Sequence, residues 1–200
     1  IRGDTEALVT RADIESAGDV AVEAAAKGVI TARIAAASLA VGVDISAGVG
    51  VAIGAAVAVN EIGDWTVPDP YVDDGEGGKA YDMTLAPTLA AGSGVRAMIV
   101  ASDIDAGGDL KVEARSDQTI DAIVIAAAAA VAGGIAGVGV GGAGVHTANR
   151  IAVATEASIS GLAGNDRASV SAADIAVTAF DDSEIRATAG AAAVAFAFGV

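Results

Sequence analysis

Gly107-Gly108-Asp109-Leu110-Lys111-Val112-Glu113-Ala114 is a turn followed by a strand whose side chains alternate apolar and polar. Leu110, Val112 and Ala114 fall on every second residue, the period of a strand with one buried face. The stretch occurs three times. Gly18-Asp19-Val20-Ala21-Val22-Glu23-Ala24 precedes it and Asp174-Ile175-Ala176-Val177-Thr178-Ala179 follows it, so the chain reads as a repeat array. Val20, Val22, Leu110, Val112, Ile175 and Val177 are then expected inside, the three copies stacking as equivalent coils. Gly18, Gly107 and Gly108 are expected to supply positive φ at the corner ahead of the strand. A second strand should follow, because Ile30, Ala32 and Ile34 correspond to Ile120, Ala122 and Val124 and to Ile185, Ala187 and Ala189.

Asp19 and Asp109 are 90 residues apart, and Asp109 and Asp174 are 65 apart. Removing insertions of about thirty and about ten residues leaves a unit of roughly 55–60, a period of solenoids, within which strand starts about ten residues apart predict about three coils of roughly twenty. One strand pair cannot bury its own inner face, whereas stacked coils build a continuous core. The expected fold is all-β, a parallel β-helix (β-solenoid) of the usual right hand with a loop insertion. Its repeat units are residues 9–62, 99–151 and 154–200, and its insertion is 63–94, in one continuous solenoid segment. The start at Ile1 and the apolar end Phe196-Ala197-Phe198-Gly199-Val200 read as parts of a longer protein, with export signal and caps outside this window.

A net charge of −15 and a pI near 4.1 argue against nucleic acid and anionic membrane, which need clustered Lys and Arg. There is no cysteine, hence no disulfide scaffold and no thiolate metal site. Aromatics are 3% of the chain, so Ala, Val, Ile and Gly must fill the interior, which suits narrow coils.

After each strand pair comes an almost wholly apolar run, residues 35–59 and then 126–145, closed by Asn60-Glu61-Ile62 and by Asn149-Arg150-Ile151. The third copy begins such a run at Ala187. Buried strands, a buried soluble helix and a membrane helix all fit the length. Asp44 would lie near mid-membrane, Gly and Val are poor helix formers, and Gly137-Val138-Gly139-Val140-Gly141 alternates, so strands are expected. Apolar residues at consecutive positions leave an apolar outer face as well, which soluble proteins seldom expose. That flank is therefore expected to be covered by another copy, its Ala and Gly residues interdigitating to give paired rods or a filament, or by the insertion around Trp65.

The insertion holds all three prolines, the one tryptophan and both tyrosines, and Trp65, Tyr71 and Tyr81 are candidates for a carbohydrate or protein contact. Covering the coils is the alternative use of these residues. Residues 161–171 read as an enlarged turn. Arg2-Gly3-Asp4 is the tripeptide integrins read, but is expected here to be three common residues at a corner. His146 stands alone in sequence, and the glycine runs lack the lysine of a phosphate loop, so no enzyme and no catalytic residue is expected. Calcium is the one cofactor worth weighing, at Asp103, Asp105 and Asp109 or at Asp73, Asp74 and Glu76, but neither set follows a known calcium-loop pattern, so solvated acidic turns and no cofactor are expected.

Ser102-Asp103-Ile104-Asp105-Ala106-Gly107-Gly108-Asp109-Leu110-Lys111-Val112-Glu113-Ala114, with the Ala/Gly run behind it, resembles the repeats of very large secreted bacterial surface proteins, the filamentous haemagglutinin and leukotoxin-type filamentous adhesin group. The resemblance implies export to the bacterial cell surface and a structural or adhesive role, possible partners being host or neighbouring cells. One branch of it implies a membrane-active toxin instead. It transfers no functional residue, and the insertion departs from its plain repeat.

Overall fold

The computed structural model describes residues 1–63, 94–162 and 167–199, and within the insertion the backbone of 65–66, 71–73, 79–81 and 88–89. The chain is all-β, with parallel strands stacked in the manner of a parallel β-helix. The first repeat holds β1 (Thr5–Thr10), β2 (Asp13–Ser16), β3 (Val20–Val43) and β4 (Val49–Gly63). The insertion carries β5 (Trp65–Thr66), β6 (Tyr71–Asp73), β7 (Lys79–Tyr81) and β8 (Thr88–Leu89). The second repeat is β9 (Gly94–Val100), β10 (Asp103–Ala106), β11 (Leu110–Gly134) and β12 (Val138–Ala152). The third is β13 (Ala154–Ser160), β14 (Ser169–Ser171) and β15 (Ile175–Gly199).

Equivalent strands pair in parallel, with the second repeat in the middle: β1-β9-β13, β2-β10-β14 and β3-β11-β15, while β4 pairs with β12. Thr5 is opposite Val95, and Val95 is opposite Thr155. One repeat therefore makes one coil, and the expected coils of about twenty residues are corrected. The reason is the length of β3, β11 and β15, of 24, 25 and 25 residues. The two successive strands expected in each copy are one strand. Gly28 stays extended within β3, and the Gln118 side chain fills the space where a side chain at 28 would go.

The corners also differ from expectation. Positive φ belongs to Arg11 and Ala101, both at 47°, between the first two strands of their repeats, and not to Gly18, Gly107 or Gly108. Buried Ser102 braces this corner by accepting from the Ala12 N–H at 3.1 Å and donating to the Val100 carbonyl at 2.9 Å. Gly107 is small for another reason: a Cβ there would lie 2.6 Å from the Ala17 carbonyl oxygen of the neighbouring coil. The aspartates stack as their recurrence suggests, Asp19 Oδ1 accepting the Asp109 N–H at 2.9 Å.

The residues form two compact units. The first comprises Ile1–Gly28, Ile62–Gln118 and Ile151–Ser183. Its core draws Val95, Ala97 and Ile99 from β9, Ile104 from β10, and Leu110, Val112 and Ala114 from β11, with Val22 and Ala24 from β3. Three sheets thus close around one interior, with charged residues outside. Lys111 bridges Glu113 at 2.7 Å and Glu23 at 2.9 Å, and these bonds, Glu113's first, raise the lysine pKa. Of the six residues expected inside, Val22, Leu110 and Val112 are buried and Val20 is half-buried. Ile175 and Val177 are 50% and 45% exposed, which corrects that expectation. β11 has a neighbour on both sides, whereas β15 has one.

The second unit comprises Val29–Glu61, Thr119–Arg150 and Glu184–Val200. Here the distal parts of β3, β11 and β15 form one layer and β4 with β12 the other, around alanine clusters such as Ala52, Ala128 and Ala130. Ala56, Ala58, Val124 and Ala126 make a second cluster.

Candidate interaction surface

Along β4 and the distal part of β3 the small residues face inward and the large ones outward, while on β11 the unit also buries Ile120 and Val124. On β4, Gly50, Ala52, Gly54, Ala56 and Ala58 are buried, and the alternate positions Val49, Val51, Ile53, Val57 and Val59 are exposed. The same sorting holds on β3, where Ala36, Ala40 and Gly42 are half-buried while Leu39, Val41 and Val43 are exposed. On β15 the exposed set includes Phe196 and Phe198.

Close sheet stacking explains the inner set. A Cβ on Gly50 would lie 2.6 Å from the Val131 carbonyl oxygen, and one on Gly54 would strike that of Ala127, both on β11. A Cβ on Gly139 or Gly141 would come within 2.7 or 2.8 Å of the Phe196 or Val194 carbonyl oxygen on β15. Each return strand therefore packs on the outgoing strand of the following repeat, with main chain close to main chain. Separation below the usual ~10 Å between packed sheets leaves no room for larger residues, which fall on the other face.

The unit ends in two turns. At 44–48 the Asp44 carboxylate accepts the Ser46 N–H and the Ser46 hydroxyl, both at 2.8 Å. These bonds and those from Ala47 and Ile45 hold its pKa below the ordinary aspartate value. Beside this aspartate Ile45 is 92% exposed, and Ile135 protrudes from the second turn. At the other end of β4 and β12 the recurring closing tripeptides acquire a role. Asn60 Nδ2 donates to Asn149 Oδ1 at 2.7 Å, and Arg150 pairs with Glu61 at 2.6 Å. Both links fix β4 against β12 at a spacing of 89 residues.

No protein-family profile, curated protein or solved structure matches this chain.

The other candidates sit elsewhere. Tyr71 pairs with Tyr81 and Trp65 with Leu89 in two short antiparallel ribbons of the insertion, while the side chains of Trp65, Tyr71 and Tyr81 lie outside the described residues. Asp74 and Glu76 also lie outside them. Arg2, Gly3 and Asp4 line a half-open cavity of about 340 Å³ with Gly28 and Gln118, and Asp4 Oδ1 accepts the N–H of Gly94, the first residue of β9, at 2.8 Å. Asp103 and Asp105 face Asp13 and Glu15 across the β2–β10 ladder, and no group of three or more metal-binding side chains converges among the described residues. His146 is exposed on the outward side of β12.

Sequence reasoning found the apolar runs but expected Ala/Gly at their contact surface. The surface is Val, Ile, Leu and Phe. The signal was present as a parity: Gly and Ala occupy the even positions from 50 to 58, and Val or Ile all the odd positions from 49 to 59 except Ala55.

Proposed function

We propose that this chain is a structural or adhesive repeat segment of a secreted bacterial cell-surface or filament-forming protein, and that copies self-associate through the exterior of the second unit. The observation that carries the reading is the outward Val and Ile row of β4, which continues on β12 as Val138 and Val140. The second unit holds three arginines against four carboxylates, so fourteen of the fifteen net negative charges belong to the first. Copies that repel one another overall can approach through that nearly neutral surface. Export and the cell surface rest on the resemblance of residues 102–114 to filamentous surface proteins.

Exposed Val43 and Ile45 at the turn favour a second reading, a membrane-active protein of the leukotoxin type. It ranks second because the exposed Asp44 beside them would have to enter the hydrocarbon with them, where a charge is costly. Sedimentation of the whole chain and dye release from liposomes separate the two. Concentration-dependent association without leakage supports the structural role, and leakage by a chain that stays monomeric overturns it.

A further inference from the structure

We infer that the outward face of β4 and β12 seats the same face of a second copy, Ile53 of each entering a notch over Gly142 and Gly144 of the other. This rests on the self-association reading and adds the face and the contact.

The argument starts from glycines that the fold of one chain does not require. Gly50, Gly54, Gly139 and Gly141 lie against carbonyl oxygens of the facing layer. Gly142 and Gly144 do not: a Cβ on either meets nothing within 4 Å. A glycine inside a strand weakens it relative to alanine, and such residues often mark a bulge, a bend, or a place where a ligand or another backbone approaches closely. By the spacing of 89 residues set by Asn60 with Asn149, Gly142 lies beside Ile53 and Gly144 beside Ala55. A shallow floor therefore adjoins a knob, Ile53 being 74% exposed. Because knob and floor are neighbours on one sheet, a single two-fold axis between them satisfies both contacts at once, the self-complementarity of an isologous dimer.

Charge favours this face over the opposite one. The outward side of β3, β11 and β15 carries Arg33, Asp121, Glu184 and Arg186 in the second unit. The β4/β12 side carries only Glu61 and Arg150, already paired with each other. The seven outward valines and isoleucines, half to three-quarters exposed, offer on the order of 400 Å² of aliphatic surface. That is about half of the ~800 Å² per partner of a stable interface, and the intervening main chain, Ala55 and His146 add to it.

The test is sedimentation equilibrium of the whole chain beside the double variant Gly142→Val/Gly144→Val and the opposite-face variant Leu39→Lys/Val41→Lys. The wild type is expected to dimerise. Filling the notch weakens dimerisation at least tenfold while thermal stability holds or rises, since valine suits a strand better than glycine, and the lysines leave dimerisation unchanged. Ile53→Ser, which adds no bulk, reads the same contact should the filled notch fail to fold. If the lysines disperse the dimer and the notch variants do not, the face is wrong and self-association stands. A wild type monomeric at every concentration overturns both. Flotation of wild-type monomers, but not of the notch variant, with phosphatidylcholine vesicles makes lipid the occupant and overturns the proposal.

Discussion

The first unit buries Leu110, Ile99 and Val112 and puts Lys111, Glu113 and Glu23 outside, whereas the second buries Ala52, Ala56 and Gly54 and puts Val51, Ile53 and Leu39 outside. Both are built from alternating strands, and the long strands pass through both kinds of environment. The difference lies in the space to be filled. Three sheets around a common interior leave a volume that only large side chains fill at native density. Two layers stacked main chain on main chain leave almost none, so size rather than polarity decides which parity turns inward. Hydrophobicity is then surplus on the outer face and available for association.

The largest effect that would sharpen this contrast comes from the fully buried Leu110. Leu110→Ala should cost about 2–5 kcal/mol, the range for deleting a large core side chain. Chemical denaturation should show a lower midpoint with little change in slope. A cost below about 1 kcal/mol would mean that the first unit is not held by its three-sided core.

In the second unit the damaging change runs in the opposite direction. Gly54→Val adds bulk against the Ala127 carbonyl, and main chain cannot step aside as a side chain can. Overpacking of this kind costs about 1–3 kcal/mol. The same substitution at Gly142 should cost nothing, since that position is open. Equal tolerance at both sites, measured by the same denaturation, would break the account of close stacking.

Much of this contrast is legible in the amino-acid sequence. The recurrence of Asp19, Asp109 and Asp174 and the alternation behind them announce stacked parallel strands, because period two and turn chemistry are local properties. Strand length is not legible there. Nothing local distinguishes one strand of 24 residues from two of ten, and Ile30, Ala32 and Ile34 read as a second strand until β3 is seen to run through Gly28 without a break. The inward parity of the apolar runs is equally hidden, for all its candidates are apolar and only the distance between layers chooses among them. The Asn60–Asn149 and Glu61–Arg150 links are visible as recurring tripeptides, but their purpose emerges only once β4 lies beside β12.

The smallest effect concerns Asp44, the one charged residue at the apolar turn of the second unit. The Ser46 N–H, then the Ser46 hydroxyl and the Ala47 N–H, bond to its carboxylate and lower its pKa. A group with a lowered folded pKa contributes its stability above the unfolded value, about 3.9 for aspartate, and loses it as pH falls through the lower folded value. Between pH 5 and pH 2 the turn at 44–48 should therefore loosen, while the denaturation midpoint attributable to it barely moves, because the carboxylate is exposed to water and screened. In NMR spectra the amide shift of Ser46 should titrate with a midpoint below the ordinary aspartate value, and Asp44→Asn should abolish that step while keeping an acceptor in place. A Ser46 titration at or above the ordinary value would show that these bonds do not form in solution, leaving the apolar turn without the cap that separates it from the sheets behind.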